Sequence, residues 1–120
     1  MRQFAIALLV VTAAVHLYLA PEHLDEMPYI GVLFVLGGAG SLLAAGWLLV
    51  SDTPLAWAAG GVLCAGMLAA LVLSRTTGLP DFKEEGLEPL ALVCLVVEVA
   101  YLAVWAFAYQ RSNARRLQPS

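Results

Sequence analysis

The chain has 120 residues, 62% of them hydrophobic and only 12% charged, with a net charge of −3. A soluble domain carries about twice that charged share, so the composition excludes one, and the acidic balance excludes the basic footprint of a nucleic-acid-binding protein. The two cysteines, Cys64 and Cys94, form no Cys-x-x-Cys pair and spell out no disulfide framework.

The apolar residues fall in blocks at about 4–20, 29–50, 55–74 and 89–109. A helix needs about 20 apolar residues to cross the hydrocarbon core, and the shorter first block can reach with local thinning of the bilayer. The pattern predicts one all-α domain over residues 1–120, a four-helix transmembrane bundle whose sequential spans are antiparallel neighbours. Arg2 ahead of the first block looks like the start of a signal peptide. However, His16 interrupts the apolar run and Tyr18-Leu19-Ala20-Pro21 makes a poor cleavage site, so the block is expected to be retained.

Span one runs from Phe4 to Ala20. Pro21 is expected to end or kink it, because proline removes a helical hydrogen bond and clashes with the preceding turn. Residues 21–27 then read as short turns at the interface, and Pro28 opens span two, where its missing N–H costs nothing. Ser51-Asp52-Thr53-Pro54 is a helix start, with Thr53 capping and Pro54 in the first turn. Span three ends at Arg75-Thr76-Thr77-Gly78, where Gly78 suits a C-cap and Arg75 the negative end of the helix dipole. Glu88-Pro89 opens span four with a carboxylate at the positive end. Spans two and three carry small residues every four positions, Gly37-Ser41-Ala45 and Gly40-Ala44, then Gly61-Ala65-Ala69 and Gly66-Ala70. Such ridges let helices approach closely in lipid.

Arg2 flanks the first span and Arg111, Arg115 and Arg116 the last, so the positive-inside bias places both termini in the cytoplasm. The loops at 21–28 and 75–88 then face outward. They hold Glu22, Asp25, Glu26, Asp81, Glu84, Glu85 and Glu88 against only Arg75 and Lys83, an acidic face that attracts cations or basic partners.

Glu98 lies near the middle of span four, where an ionised side chain costs about 2.5–3.5 kcal/mol on insertion scales. It is expected to face the bundle, either paired or held neutral, as a proton or cation acceptor or as a hydrogen-bonded link between helices. Cys94, Glu98, Tyr101 and Trp105 share one helix face by their four-three-four spacing, which points that face toward protein. Trp105 and Tyr109 also suit an inner aromatic belt. His16 lies about one turn inside the outer end of span one, near the depth of Cys94, and shares a face with Thr12 and His23 if the helix runs straight. Over seven residues the two histidines would then stand about 10 Å apart, too far to hold one ion unless the chain folds back at Pro21. With such a fold-back, His16, His23, Glu22 and Glu26 form a candidate metal set, since imidazole and carboxylate suit zinc, copper or iron. Arg75 and Glu88 support that rim as partners for its charges, and Cys94 and Tyr101 support the interior.

The stretch His16-Leu17-Tyr18-Leu19-Ala20-Pro21-Glu22-His23, followed by Pro28-Tyr29-Ile30-Gly31 and a glycine-rich span, then Arg75-Thr76-Thr77-Gly78-Leu79-Pro80, Glu88-Pro89 and Glu98, resembles a group of small bacterial four-span membrane proteins with no assigned activity. The resemblance covers nearly the whole chain. It implies a bacterial inner-membrane location and implies that the two outer motifs belong together. Resemblance to vitamin K epoxide reductase-like enzymes fails for want of a redox cysteine pair. Resemblance to small multidrug-resistance exporters fails because their intramembrane glutamate sits in the first span. No nucleophile elbow, phosphate loop or zincin motif is present.

Two functional classes follow. One is a protein with an outward-facing His/Glu site that handles a metal ion, cation or proton. The other is a non-catalytic accessory subunit of a larger membrane complex, in which the small-residue ridges dock partners or a second copy. A haem-binding variant, with His16 as axial ligand and Met67 as a conceivable second, is a minor third.

Overall fold

The computed structural model describes residues 2–78 and 89–117. They form four helices: α1 (Arg2–Glu26), α2 (Pro28–Val50), α3 (Pro54–Arg75) and α4 (Pro89–Leu117). Each is long and apolar enough to cross a membrane.

The boundaries follow local chemistry. Proline opens α2, α3 and α4, at positions where an N–H would have no helical partner. The Thr53 hydroxyl accepts a hydrogen bond from the Ala56 N–H at 3.3 Å, as an N-cap does. Gly78 closes α3 at φ 87°, and its N–H donates to the Leu73 carbonyl at 2.6 Å. That backbone angle strongly favours glycine.

Pro21 does not terminate the helix. It neither ends α1 nor opens a set of short turns, and the helix runs on to Glu26. A single extended residue, Met27, then separates α1 from α2. Proline is tolerated inside an apolar helix when a neighbouring helix holds the segment in place. Here α2 does so. Gly31 lies so close to Leu24 that a Cβ on it would come within 2.5 Å of the Leu24 backbone.

Helix α1 packs against α2 and α4, and α3 packs against α2 and α4, while the diagonal pairs scarcely meet. This is the ring expected of an up-down-up-down bundle with short connections. Its interior combines small and polar groups with a few large side chains, Leu9, Leu48 and Tyr101 among them. Ala5, Ala13, Ala44, Ala45, Ala56 and Cys64 are buried together with Thr12, Ser41 and Glu98. Large aliphatics such as Leu43, Val50, Leu55, Val62 and Val96 point outward. In water, apolar surface on that scale marks an interaction face. In a bilayer, lipid would supply that partner, and close packing and hydrogen bonds would hold the helices together.

The α2 ridge works as expected, with Gly37, Ser41, Ala44 and Ala45 buried. The α3 ridge does so only at Gly61, which is buried, because Ala65, Gly66 and Ala69 are exposed. On α3 the close approach shifts to Gly60 and Gly61, which lie directly beneath Tyr101 and Trp105 of α4. Tyr101 is fully buried, and its hydroxyl donates to the Trp57 carbonyl at 3.0 Å. The Trp57 indole N–H in turn donates to Asp52 Oδ1 at 2.7 Å. This chain fixes the end of the bundle opposite the α1–α2 turn.

Because Gly31 faces backbone rather than a movable side chain, Gly31→Ala should destabilise the bundle by about 1–3 kcal/mol. Gly66→Ala, where nothing lies within 4 Å, should not. Thermal unfolding of both variants in lipid nanodiscs checks the contrast.

Candidate functional site

Two stripes meet where α1 packs on α4. Helix α1 buries Thr12, His16 and His23, spaced four and seven residues apart, which returns them to one face. Helix α4 buries Ala91, Cys94, Glu98 and Tyr101, also one face. Ala5, Leu9 and Ala13 of α1 are buried as well, Leu9 toward Gly60 of α3 and Ala13 beside Gly38 of α2, so the polar groups in this interior must find partners among themselves.

Thr12 is the hub. Its hydroxyl donates to Glu98 Oε2 at 3.0 Å, lies 3.4 Å from His16 Nδ1 and 4.0 Å from Cys94 Sγ. His16 Nδ1 is 2.8 Å from the Thr12 carbonyl and 3.9 Å from Cys94 Sγ. A carbonyl only accepts, so Nδ1 carries a proton, and in the neutral ring the lone pair sits on Nε2. Glu98 is 1% exposed. Its Oε1 is the buried side-chain oxygen with no hydrogen-bond partner among the described residues.

One donor atom from each of His16, Cys94 and Glu98 lies within 4.8 Å of the other two. Around a tetrahedral ion with bonds of 2.0–2.3 Å, ligand atoms stand about 3.3–3.8 Å apart. The His16 Nδ1–Cys94 Sγ separation of 3.9 Å is already close to that span.

The triad heads a cavity of about 320 Å³ bounded by all four helices. His23, Ser74 and Arg75 line its other end, beside the α1–α2 turn, and Phe34, Gly37 and Met67 line its middle. The walls are mainly apolar, with polar groups confined to the two ends, a pattern typical of small-ligand sites.

The candidate set His16, His23, Glu22 and Glu26 is not what the structure brings together. With α1 continuous through Pro21, no fold-back carries His23 toward His16. Phe34 of α2 stacks on His23 with ring centroids 4.1 Å apart and packs on His16 at 5.1 Å. His23 Nδ1 bonds its own helix at the Leu19 carbonyl, 3.0 Å away. Glu22 and Glu26 are exposed. His16 pairs across the bundle instead, with Cys94 and Glu98.

Arg75 is half-buried at the cavity mouth and donates from Nη1 to Ser74 Oγ at 2.7 Å. Glu88, like Asp81, Glu84 and Glu85, lies outside the described residues. Cys64 and Cys94 are both free thiols, Cys64 in the apolar core, and Tyr101 serves packing rather than the cavity. Thr12 carries more weight than its type signals from sequence alone. Its position one turn before His16 was the available sign.

No family model matches this sequence, and no curated protein or solved structure does so either. Fold and site therefore define the class on their own: an all-α bundle of four helices of membrane-crossing length, with a buried His–Cys–Glu cluster of metal-ligating composition at the head of a cavity.

Thr12→Val keeps the shape and removes the donor to Glu98. It should destabilise by about 1–3 kcal/mol, whereas Thr12→Val with Glu98→Leu should recover most of the loss, because no orphaned acceptor remains. Equilibrium unfolding of the two variants in mixed micelles measures the difference.

Proposed function

We propose that this chain is an integral membrane protein that takes a transition-metal cation into the bundle at His16, Cys94 and Glu98. On this reading both termini are cytoplasmic, and the α1–α2 turn, with the acidic residues around it, faces outward and gathers cations. The cavity is the path from that face to the site. A bacterial inner membrane is the setting implied by the sequence resemblance.

The observation that carries the proposal is the convergence of one imidazole, one thiol and one carboxylate, drawn from two helices, within 4.8 Å of one another. Burial makes the arrangement costly without a ligand. A carboxylate with one hydrogen bond and one orphaned oxygen loses its hydration without full replacement. A cation at the triad would supply the missing partner, and nitrogen, sulfur and oxygen donors together suit a transition ion better than magnesium or calcium.

The Thr12 hydroxyl favours one further reading. It stands between His16 Nδ1 and Glu98 Oε2 at 3.4 and 3.0 Å, a spacing that would let a proton pass from imidazole to carboxylate through the hydroxyl. Here Glu98 is the acceptor and His16 the entry group.

A titration with Co(II), whose thiolate charge-transfer absorption reports a cysteine ligand, separates these readings in nanodiscs. The metal reading predicts one bound ion, loss of the band in Cys94→Ser and in His16→Ala, and retention in His23→Ala. Absence of binding to the unaltered chain, or equal loss in His23→Ala and His16→Ala, would contradict it. The proton reading predicts that Glu98→Gln lowers proton flux across proteoliposomes by about tenfold or more, and unchanged flux would count against it.

A further inference from the structure

The nitrogen of His16 nearest Cys94 is already engaged. Nδ1 donates to the Thr12 carbonyl at 2.8 Å, which leaves Nε2 as the lone-pair atom of the neutral ring. Nε2 is bonded to Cδ2, and Cδ2 faces α2, 3.7 Å from the point that a Cβ on Gly37 would occupy. The Met67 thioether of α3 reaches the same point, with Cγ at 3.6 Å and Sδ at 3.1 Å. Gly37 thus leaves open a space that imidazole and thioether border from two sides. Met67 Sδ also accepts from the Ser41 hydroxyl at 4.0 Å, a weak contact for a weak acceptor.

Met67, His16, Cys94 and Glu98 all line one cavity, so its border includes a thioether, a thiol and an imidazole nitrogen. Glu98, almost wholly buried and with no hydrogen-bond partner for Oε1 among the described residues, lies beside them as a further oxygen donor at the cavity head.

Resting on the metal reading above, we propose that the ion this site selects is a soft monovalent cation, Cu(I) being the natural case, and that Met67 is its thioether ligand. Thiolate and thioether donors favour Cu(I) over harder divalent ions. Charge points the same way. In a low-dielectric bundle a monovalent ion is neutralised by one thiolate, the ion taking the place of the thiol proton, which leaves to solvent. A divalent ion would need Cys94 and Glu98 both ionised, at a greater cost of desolvation. Met67 is also the donor that links α3 to the site, since His16 belongs to α1 and Cys94 and Glu98 to α4.

The test compares two ions on the full chain in nanodiscs. Cu(I) affinity is measured anaerobically, with a chromophoric Cu(I) chelator as competitor, and Co(II) affinity by absorption. Met67→Leu conserves volume in the cavity wall and removes only the sulfur. The expected result is Cu(I) bound at least about a hundredfold more tightly than Co(II), and Met67→Leu weakening Cu(I) by about tenfold or more while leaving Co(II) within about twofold. Gly37→Ala, which fills the space between the two side chains, should weaken Cu(I) in the same sense. Equal Cu(I) affinity in Met67→Leu and the unaltered chain would overturn the thioether assignment, and Co(II) held as tightly as Cu(I) would overturn the selectivity. In both cases retained Co(II) binding leaves the metal reading standing. Binding of neither ion would sink both together.

Discussion

The hydrogen bond from Thr12 to Glu98, 3.0 Å long and closed to solvent, is the interaction on which the arrangement turns. It ties the first helix to the last and so closes the ring of four. It also fixes the relative height of α1 and α4, which is what sets His16 beside Cys94. A shift of one turn along either helix would move a residue by about 5.4 Å. That would separate the imidazole from the thiol and leave Glu98 among apolar groups, where an unpartnered carboxylate is costly. Register is thus specified by the residues that also make the site.

The same economy appears in the distribution of large and small side chains. Most bulky aliphatics face outward, and the interior is largely alanine, glycine, serine and threonine, with Leu9, Leu48 and Tyr101 buried among them. Close helix approach then supplies van der Waals contact that a hydrophobic effect between helices cannot supply in lipid. Helices α2 and α3 depart from this pattern around Gly37 and Met67. There the interior opens into the cavity instead of closing, while the opposite end of the bundle is locked by Tyr101, Trp57 and Asp52. One end is built to stay shut and the other carries a passage from the α1–α2 turn to the polar cluster.

Much of the fold was legible because it is local. The four charge-free blocks, Pro28, Thr53, Pro54 and Gly78 mark helix boundaries with chemistry that acts within one turn. The inward stripe of Cys94, Glu98 and Tyr101 follows from period alone. That Pro21 does not end the helix was not legible, because its effect depends on something distant in kind. A helix passes through proline only if a neighbour holds it, and the hold comes from Gly31 against Leu24 across the turn. The α3 ridge was misleading in a similar way, since a stripe of small residues on Ala65 and Ala69 does not say whether it faces a helix or lipid. The site was half legible. His16 and Glu98 stood out as polar groups in apolar helices, but Thr12 is 86 residues from Glu98 and His16 is 78 from Cys94. Pairing them requires knowing that α1 lies against α4 at a given height, which no local pattern encodes.

The state of the His16 ring is where these threads meet. Histidine-selective 15N labelling of the chain in nanodiscs gives the two imidazoles separately once His23→Gln removes one set of signals. Nitrogen shifts read the tautomer and the atom that meets an added ion directly. The account predicts a His16 ring with its proton on Nδ1, a large shift confined to Nε2 when Cu(I) is added, and little change at His23 in the unaltered chain. A His16 ring with its proton on Nε2, or one whose nitrogens do not respond to the ion, would contradict it.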